Sequence, residues 1–368
     1  MVGGDGKMDK KLGKKITDLV GENLDRLVTI DWRCQGQIHP LYHVARDGSD
    51  GPLTMRAAQK FVEKVTTGDV VLILTGFPVF PSEALKEDNR FRDRIVIPET
   101  DGVVSAAVVA RAVDSAFGAR PVIFCEEECV PIARGCCTAA GLKVTDEFKT
   151  SPLAAHTVTV LPFTKDAAQA PAEANRFLDV MKPKAAISIE RPGRNEKGHY
   201  HRANGLPITD FVAKLDDLFQ GVSKRGGLTI GIGDLGNELG MGSLKEATKT
   251  LIEHGEKCQC GCGAGIGASV PAEALMFGAV SDDVAYAFLA CLSYLLSQPE
   301  LLQSEMMKRV LEAACDHGAI DGPSGLSLPS IDYLDVKNHV FQIELMKEII
   351  RSPMRFMEIQ PSSYGDRA

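Results

Sequence analysis

Short runs of β-branched and aliphatic residues alternate, through the first two-thirds of the chain, with longer stretches whose apolar positions recur at helical spacing. The short runs predict strands at Val70–Leu74, Arg94–Ile97, Pro121–Phe124, Thr157–Leu161, Ala185–Ile189 and Leu228–Ile232. Between them, Val103–Phe117 is apolar around most of its circumference, with Arg111 and Asp114 marking a narrow polar stripe. Glu128–Ala140 is followed by Gly141, the residue type that most readily closes a helix. Ser243-Leu244-Lys245-Glu246 has the form of a capping box, opening a helix that stops at Gly255. After Val270 the pattern turns helical, with an apolar helix around Val284–Leu296 and amphipathic ones around Glu300–His317 and Val336–Arg351.

This alternation predicts an α/β fold: a largely parallel sheet with helices on both faces, plus a helical C-terminal region. The expected organisation is a tail over 1–20, an α/β core over 21–270, a helical region packed on it over 271–355 and a second tail over 356–368. A single domain over 21–355 is the alternative. Gly3–Lys15 and Ser362–Ala368 read as loose ends.

Composition narrows the partners. With 44% hydrophobic and 24% charged residues, the 368-residue chain is not disordered, collagen-like or coiled-coil. A formal charge of -8 gives no general attraction to phosphate backbones or anionic lipid, so neither nucleic acid nor membrane is expected and a small molecule leads. The longest uncharged run, Val284–Gln298, is too short to span a bilayer, and the polar start has no leader pattern. Ten scattered cysteines without a secretory leader read as reduced thiols, hence a cytoplasmic protein. Homo-oligomerisation is left open.

In an open parallel sheet, ligands bind beyond the carboxyl ends of the strands, so chemistry is sought in the loops that follow them. Those loops read Thr75-Gly76-Phe77, Glu99-Thr100-Asp101-Gly102, Glu126-Glu127-Glu128, Glu190-Arg191-Pro192-Gly193-Arg194-Asn195, and Gly231 to Gly242 with Asp234, Asn237 and Glu238. Acids from separate loops that converge on one rim repel one another unless a cation neutralises them. Glu99, Asp101, Glu190, Asp234 and Glu238 are therefore candidate ligands of a divalent cation, Mg²⁺ or Mn²⁺. Structural alternatives stand beside this reading. Asp101 or Thr100 can cap a helix, and the glycines of the last loop can serve a tight turn while its acids cap helix amides.

Gly231-Ile232-Gly233-Asp234-Leu235-Gly236 also matches the dinucleotide fingerprint. Against it, the expected helix start lies at Ser243, and the acids would face a pyrophosphate with like charge. Arg191 and Arg194 either pair with Glu190 or present planar forks to a substrate carboxylate or phosphate. Thr75, Gly76, Gly233 and Asn237 complete the candidate substrate contacts. His199 and His201 are clustered imidazoles, either solvated or acting in proton transfer, and Glu238 is the other candidate base. Cys258-Gln259-Cys260-Gly261-Cys262 departs from the usual Cys-x-x-Cys pair. On an extended strand, alternate residues stand about 6–7 Å apart, too far for one zinc unless the chain folds back. These thiols read as small buried side chains, with His254 the fourth donor if zinc were held.

The segments Thr75-Gly76-Phe77, Glu99-Thr100-Asp101-Gly102, Glu190-Arg191-Pro192-Gly193-Arg194, the run from Gly231 to Gly242, Asp321-Gly322 and Ile331-Asp332 stand in the order of a known family. Over roughly residues 20 to 350 the chain resembles the D-glutamate cyclase-like C-terminal domain family. The resemblance implies an acidic, oxygen-lined pocket and an enzyme acting on a small carboxylate-bearing substrate. Cyclisation of D-glutamate to 5-oxo-D-proline and water, a lyase reaction, is the named candidate. A metal-dependent hydrolase or phosphatase, or a module that binds an amino acid or nucleotide, is the alternative. Because the fused relatives are mitochondrial, the matrix is the alternative compartment.

Overall fold

A buried parallel sheet needs strands that are apolar on both faces, and five consecutive buried residues at Val70–Leu74 meet that need at its centre. The computed structural model describes residues 5–79, 97–149 and 155–359. Its strands are β1 (Val70–Leu74), β2 (Pro78–Val79), β3 (Ile97–Pro98), β4 (Arg120–Cys125), β5 (Lys143–Thr145), β6 (Thr157–Pro162), β7 (Ala185–Ile189), β8 (Leu228–Gly233), β9 (Ala274–Phe277), β10 (Ser330–Ile331) and β11 (Leu334–Asp335). Its helices are α1 (Asp5–Val28), α2 (Ile38–Asp47), α3 (Leu53–Lys64), α4 (Val103–Phe117), α5 (Val130–Ala139), α6 (Ala170–Met181), α7 (Asp216–Lys224), α8 (Lys245–Leu251), α9 (Ser281–Leu296), α10 (Ser304–Asp316) and α11 (Val336–Ile359).

Seven strands form one sheet in the order β5-β6-β4-β1-β7-β8-β9, every pair parallel. Side chains divide between its faces with period two. Val71 and Ile73 join a core built with α1, α3, α4, α5, α9, α10 and α11, whereas Val70, Leu72 and Leu74 face α6 and α7. That first core draws its residues from stretches between Val20 and Ile350. The C-terminal helix α11 is tied to α9 by a buried pair, His339 Nδ1 to Asp283 Oδ1 at 2.7 Å, and by Gln342 Nε2, which donates to Asp283 Oδ2 at 2.6 Å. The parallel α/β architecture with helical cover is thus as the sequence pattern predicts. Among the described residues no helix is long and apolar enough to cross a membrane.

Several elements differ from expectation. Residues 94–96 of the expected strand Arg94–Ile97 and the segment Ser362–Ala368 lie outside the described residues. Ile97–Pro98 pairs antiparallel with Pro78–Val79 in a separate ribbon, since prolines cannot donate to a central ladder. Two strands escape the sequence pattern because they are short and lie at the sheet edges: Lys143–Thr145, and Ala274–Phe277, which has no β-branched residue. The polar start carries a helix from Asp5, within the stretch that composition gives as loose. Ser243 caps nothing: Gly242–Leu244 is a 3₁₀ turn, and the helix after it ends at Leu251.

The chain leaves β1 to build one half of the sheet through β4, β5 and β6, then returns to the other side of β1 with β7, β8 and β9. Such a reversal opens a crevice beyond the carboxyl ends of the central strands. The loops after β1, β7 and β8 end there.

Candidate active site

The register of the sheet sets the site. Ile189 pairs with Ile232, so Glu190, the next residue of one strand, stands beside Gly233, with Asp234 one step further on. The loops then pair with each other: Leu239 N donates to Arg191 O at 2.6 Å and Gly193 N to Asn237 O at 2.8 Å, which brings Glu238 alongside. Carboxylate oxygens of Glu190, Asp234 and Glu238 lie within 4.8 Å of one another, all three residues buried. Glu190 has φ 40°, a left-handed backbone that a non-glycine residue adopts at a cost of about 1–3 kcal/mol. Its Oε2 accepts the Ser281 hydroxyl at 2.5 Å.

A cavity of about 630 Å³ opens on these acids. Glu99, Asp332, Asn237, Arg33 and Arg202 also line it. Arg33 reaches from the loop between α1 and α2 to Asp234 at 2.8 Å and Asp332 at 3.2 Å. Burial alone would lower the Arg33 pKa, but the attraction of Asp234 and Asp332 outweighs it, so the guanidinium stays charged. Five carboxyl groups therefore face two guanidinium groups, an excess of acid that burial makes costly.

That cost appears as raised pKa values. Burial first, then Asp234, pushes Glu238 up to about 8, against the donated N–H groups of Leu235 at 3.2 Å and Gly236 at 2.8 Å. Burial pushes Asp332 up to about 7 although Arg33 opposes it. Burial and neighbouring acids hold Glu190 and Glu99 well above the carboxylate range. Each acid binds its proton more tightly folded than unfolded, so without a cation stability should fall as pH rises from about 4.5 towards 8. Melting temperatures in chelator are expected to drop across that window, and the drop should be shallower in Glu238→Gln. A melting temperature that climbs with pH, or an equal slope in the variant, contradicts the assignment.

Asp101 has a different task. Its carboxylate accepts N–H groups from Ser281 at 3.2 Å, Asp282 at 2.8 Å and Gly102 at 2.9 Å, while Asp282 Oδ1 accepts those of Gly102 at 2.9 Å and Ser105 at 3.1 Å. The two acids thus cap each other's helices, α4 and α9, and Asp101 lies behind the cavity wall. Gly102 is required there: at φ 84°, a Cβ would sit 2.7 Å from Glu190 Cβ.

Other candidates from the sequence are placed elsewhere. Arg191 is fully buried and spent on the Glu126 carboxylate at 2.6 Å, the Thr75 and Gly76 carbonyls at 3.2 and 2.7 Å, and Ala213 O at 2.6 Å. Arg194 pairs with Asp217 at 3.0 Å and Gln220 at 3.0 Å on α7. Neither arginine lines the cavity, nor do Thr75, Gly76, Gly233, His199 or His201. The glycines of Gly231–Gly236 run into a loop, with α8 starting only at Lys245. Sequence reasoning missed Arg33 and Arg202 as cavity cations. Asp31-Trp32-Arg33-Cys34 has neither periodicity nor a preceding strand to mark it.

The cysteines are a second departure. The chain does fold back, at Gly261 and Gly263 with φ 77° and 81°, so Cys258 Sγ lies 3.2 Å from Cys260 Sγ and 3.4 Å from Cys262 Sγ. His201 Nε2 lies 3.1 Å from Cys260 Sγ, while His254 turns to Gln259.

The doubly covered parallel sheet thus carries an acid-lined cavity at its switch point. Residues 24–347 match the family described as D-glutamate cyclase-like, C-terminal, and the chain belongs to that family. It is also 40% identical over 111 residues to human mitochondrial D-glutamate cyclase, a stretch covering 30% of this chain and 17% of that protein.

Proposed function

We propose that the cavity is the active site of a divalent-cation-dependent enzyme acting on a small carboxylate-bearing substrate, with cyclisation of D-glutamate to 5-oxo-D-proline its reaction. The observation that carries this reading is the buried trio Glu190, Asp234 and Glu238, whose oxygens converge within 4.8 Å on the cavity wall. Hard oxygen donors at that spacing suit Mg²⁺ or Mn²⁺. Asn237 fits the same purpose, since its Oδ1 is buried without a hydrogen-bond partner on the cavity lining. Glu190, Asp234 and Glu238 would hold the ion, with Asn237 beside them. When bound, the cation would draw electron density from a carboxyl group and make its carbon electrophilic.

Arg202 takes the place of Arg191 and Arg194 as the group that holds the substrate α-carboxylate, while Arg33 holds Asp234 and Asp332 at the cavity edge. Cyclisation joins the α-nitrogen to the carbon of the γ-carboxyl group and breaks one carbon–oxygen bond of that carboxyl. The ammonium group loses two protons, and the departing oxygen leaves with two as water, so the balance is neutral. Glu238 is assigned to carry those protons because it lines the cavity, which His199 and His201 do not.

The test is an NMR time course of D-glutamate, L-glutamate and a phosphate monoester, each with Mg²⁺ or chelator. Accumulation of 5-oxo-D-proline from D-glutamate, only with cation, is expected. Hydrolysis of the phosphate ester with D-glutamate untouched would replace the cyclase reading by a hydrolase. Thermal stabilisation by D-glutamate without turnover would make the chain a binding module.

A further inference from the structure

The loop over residues 252–273 has no regular secondary structure between α8 and β9, yet its sulfur atoms are gathered with unusual economy. Sγ of Cys258, Cys260 and Cys262 and a ring nitrogen of His201 all lie within 4.8 Å of one another. Around one zinc ion, bonds of about 2.3 Å to sulfur and 2.0–2.1 Å to nitrogen set ligand-to-ligand edges of about 3.5–3.8 Å. Three of the six edges, at 3.1, 3.2 and 3.4 Å, are slightly shorter than these, and the other three are no longer than 4.8 Å. We propose that His201, Cys258, Cys260 and Cys262 form a structural zinc site, separate from the acidic cavity.

Independent features support the assignment. Asn195 Nδ2 reaches Cys262 Sγ at 3.4 Å while also donating to Gly265 O at 2.8 Å. Such donors stabilise thiolate rather than thiol, and outer-shell partners of this kind orient metal ligands. The donor set is soft, unlike the oxygen set at Glu190, Asp234 and Glu238, so the two sites should select different ions. Four protein ligands close the coordination sphere, which marks a structural ion and leaves no open position for a substrate. Each thiol gives up its proton on binding.

The location gives the ion a purpose. His201 O accepts Asn237 Nδ2 at 3.1 Å, and Gln259 donates from its backbone to Gly205 O at 2.9 Å and from its side chain to Asn204 O at 2.7 Å. Asn237, Arg202, Ala203 and Asn204 all line the cavity. A zinc ion linking the loop after β7 to the loop before β9 would thus hold the cavity rim in place.

Metal analysis of the full chain purified without chelator is the test, with cobalt-grown protein for spectroscopy. About one zinc per chain is expected, with thiolate-to-metal charge transfer and tetrahedral d–d bands in the cobalt form. Alkylation mapping should find Cys258, Cys260 and Cys262 protected in the native protein and labelled after chelation, while Cys34 is labelled in both. This readout needs no variant. Cys258→Ser and Cys262→Ser should lose the metal, whereas Glu238→Gln keeps it and His201→Cys retains it as a four-thiolate site. Metal-free protein with freely alkylated thiols, a Cys258–Cys260 disulfide, an iron–sulfur chromophore, or zinc retained by both serine variants would each overturn the proposal.

Discussion

Replacing Arg191 by methionine is expected to destabilise the protein by about 3–5 kcal/mol, the usual cost of removing one partner from a buried ion pair. The guanidinium is wholly inaccessible and holds the Glu126 carboxylate at 2.6 Å together with three backbone carbonyls from two loops. Without it, Glu126 stays buried with the Ala213 N–H at 2.9 Å as its remaining partner. Total stabilities of about 5–15 kcal/mol leave little margin for such a loss. Lysine should not rescue, because a point charge cannot serve a carboxylate and three carbonyls in one plane. Urea unfolding checks this: the midpoint should fall sharply in both variants. An unchanged midpoint with weakened substrate binding would restore Arg191 to the role of a substrate fork.

Glu238→Gln is expected to lower turnover by about 10²–10⁴-fold, the range that a positioned acid or base contributes. The amide keeps the shape of the side chain but carries no proton between nitrogen and departing oxygen. Stability in chelator should hold or rise at pH 8, since the variant removes a buried acid that Asp234 repels. Activity loss together with preserved folding places Glu238 in the reaction or the cation site and not in the support of the fold. Steady-state rates and melting curves on the same preparation measure both, and turnover within a factor of about three of wild type would remove Glu238 from the reaction.

How much of this was legible in the sequence depends on distance along the chain. The β-branched runs of β1, β7 and β8 are local signals, and their carboxyl-end acids Glu190, Asp234 and Glu238 could be read from the strand-end rule because a parallel sheet fixes where its loops go. Asp101 was legible only as an ambiguity, since its partner Asp282 lies far along the chain and the mutual capping exists only once α4 and α9 meet. In sequence, an arginine after a strand looks the same whether it points into a cavity or under a loop, so Arg191 is legible only as an alternative between ion pair and substrate fork. Arg33 had no signal, as it reaches the site from a loop before the first strand. The spacing of the cysteines places their thiols too far apart for one ion unless the chain folds back, and two left-handed glycines supply that fold.

The most direct measurement of the central claim is a titration of chelator-treated protein with Mn²⁺, followed by electron paramagnetic resonance at pH 8. Wild type is expected to take up about one Mn²⁺ per chain by the oxygen trio, and Glu190→Gln and Asp234→Asn to lose that uptake while still folding. Cys258→Ser should keep it. Wild-type protein that leaves all Mn²⁺ free, or uptake undiminished in both acid variants, would contradict a cation site at the end of the central strands.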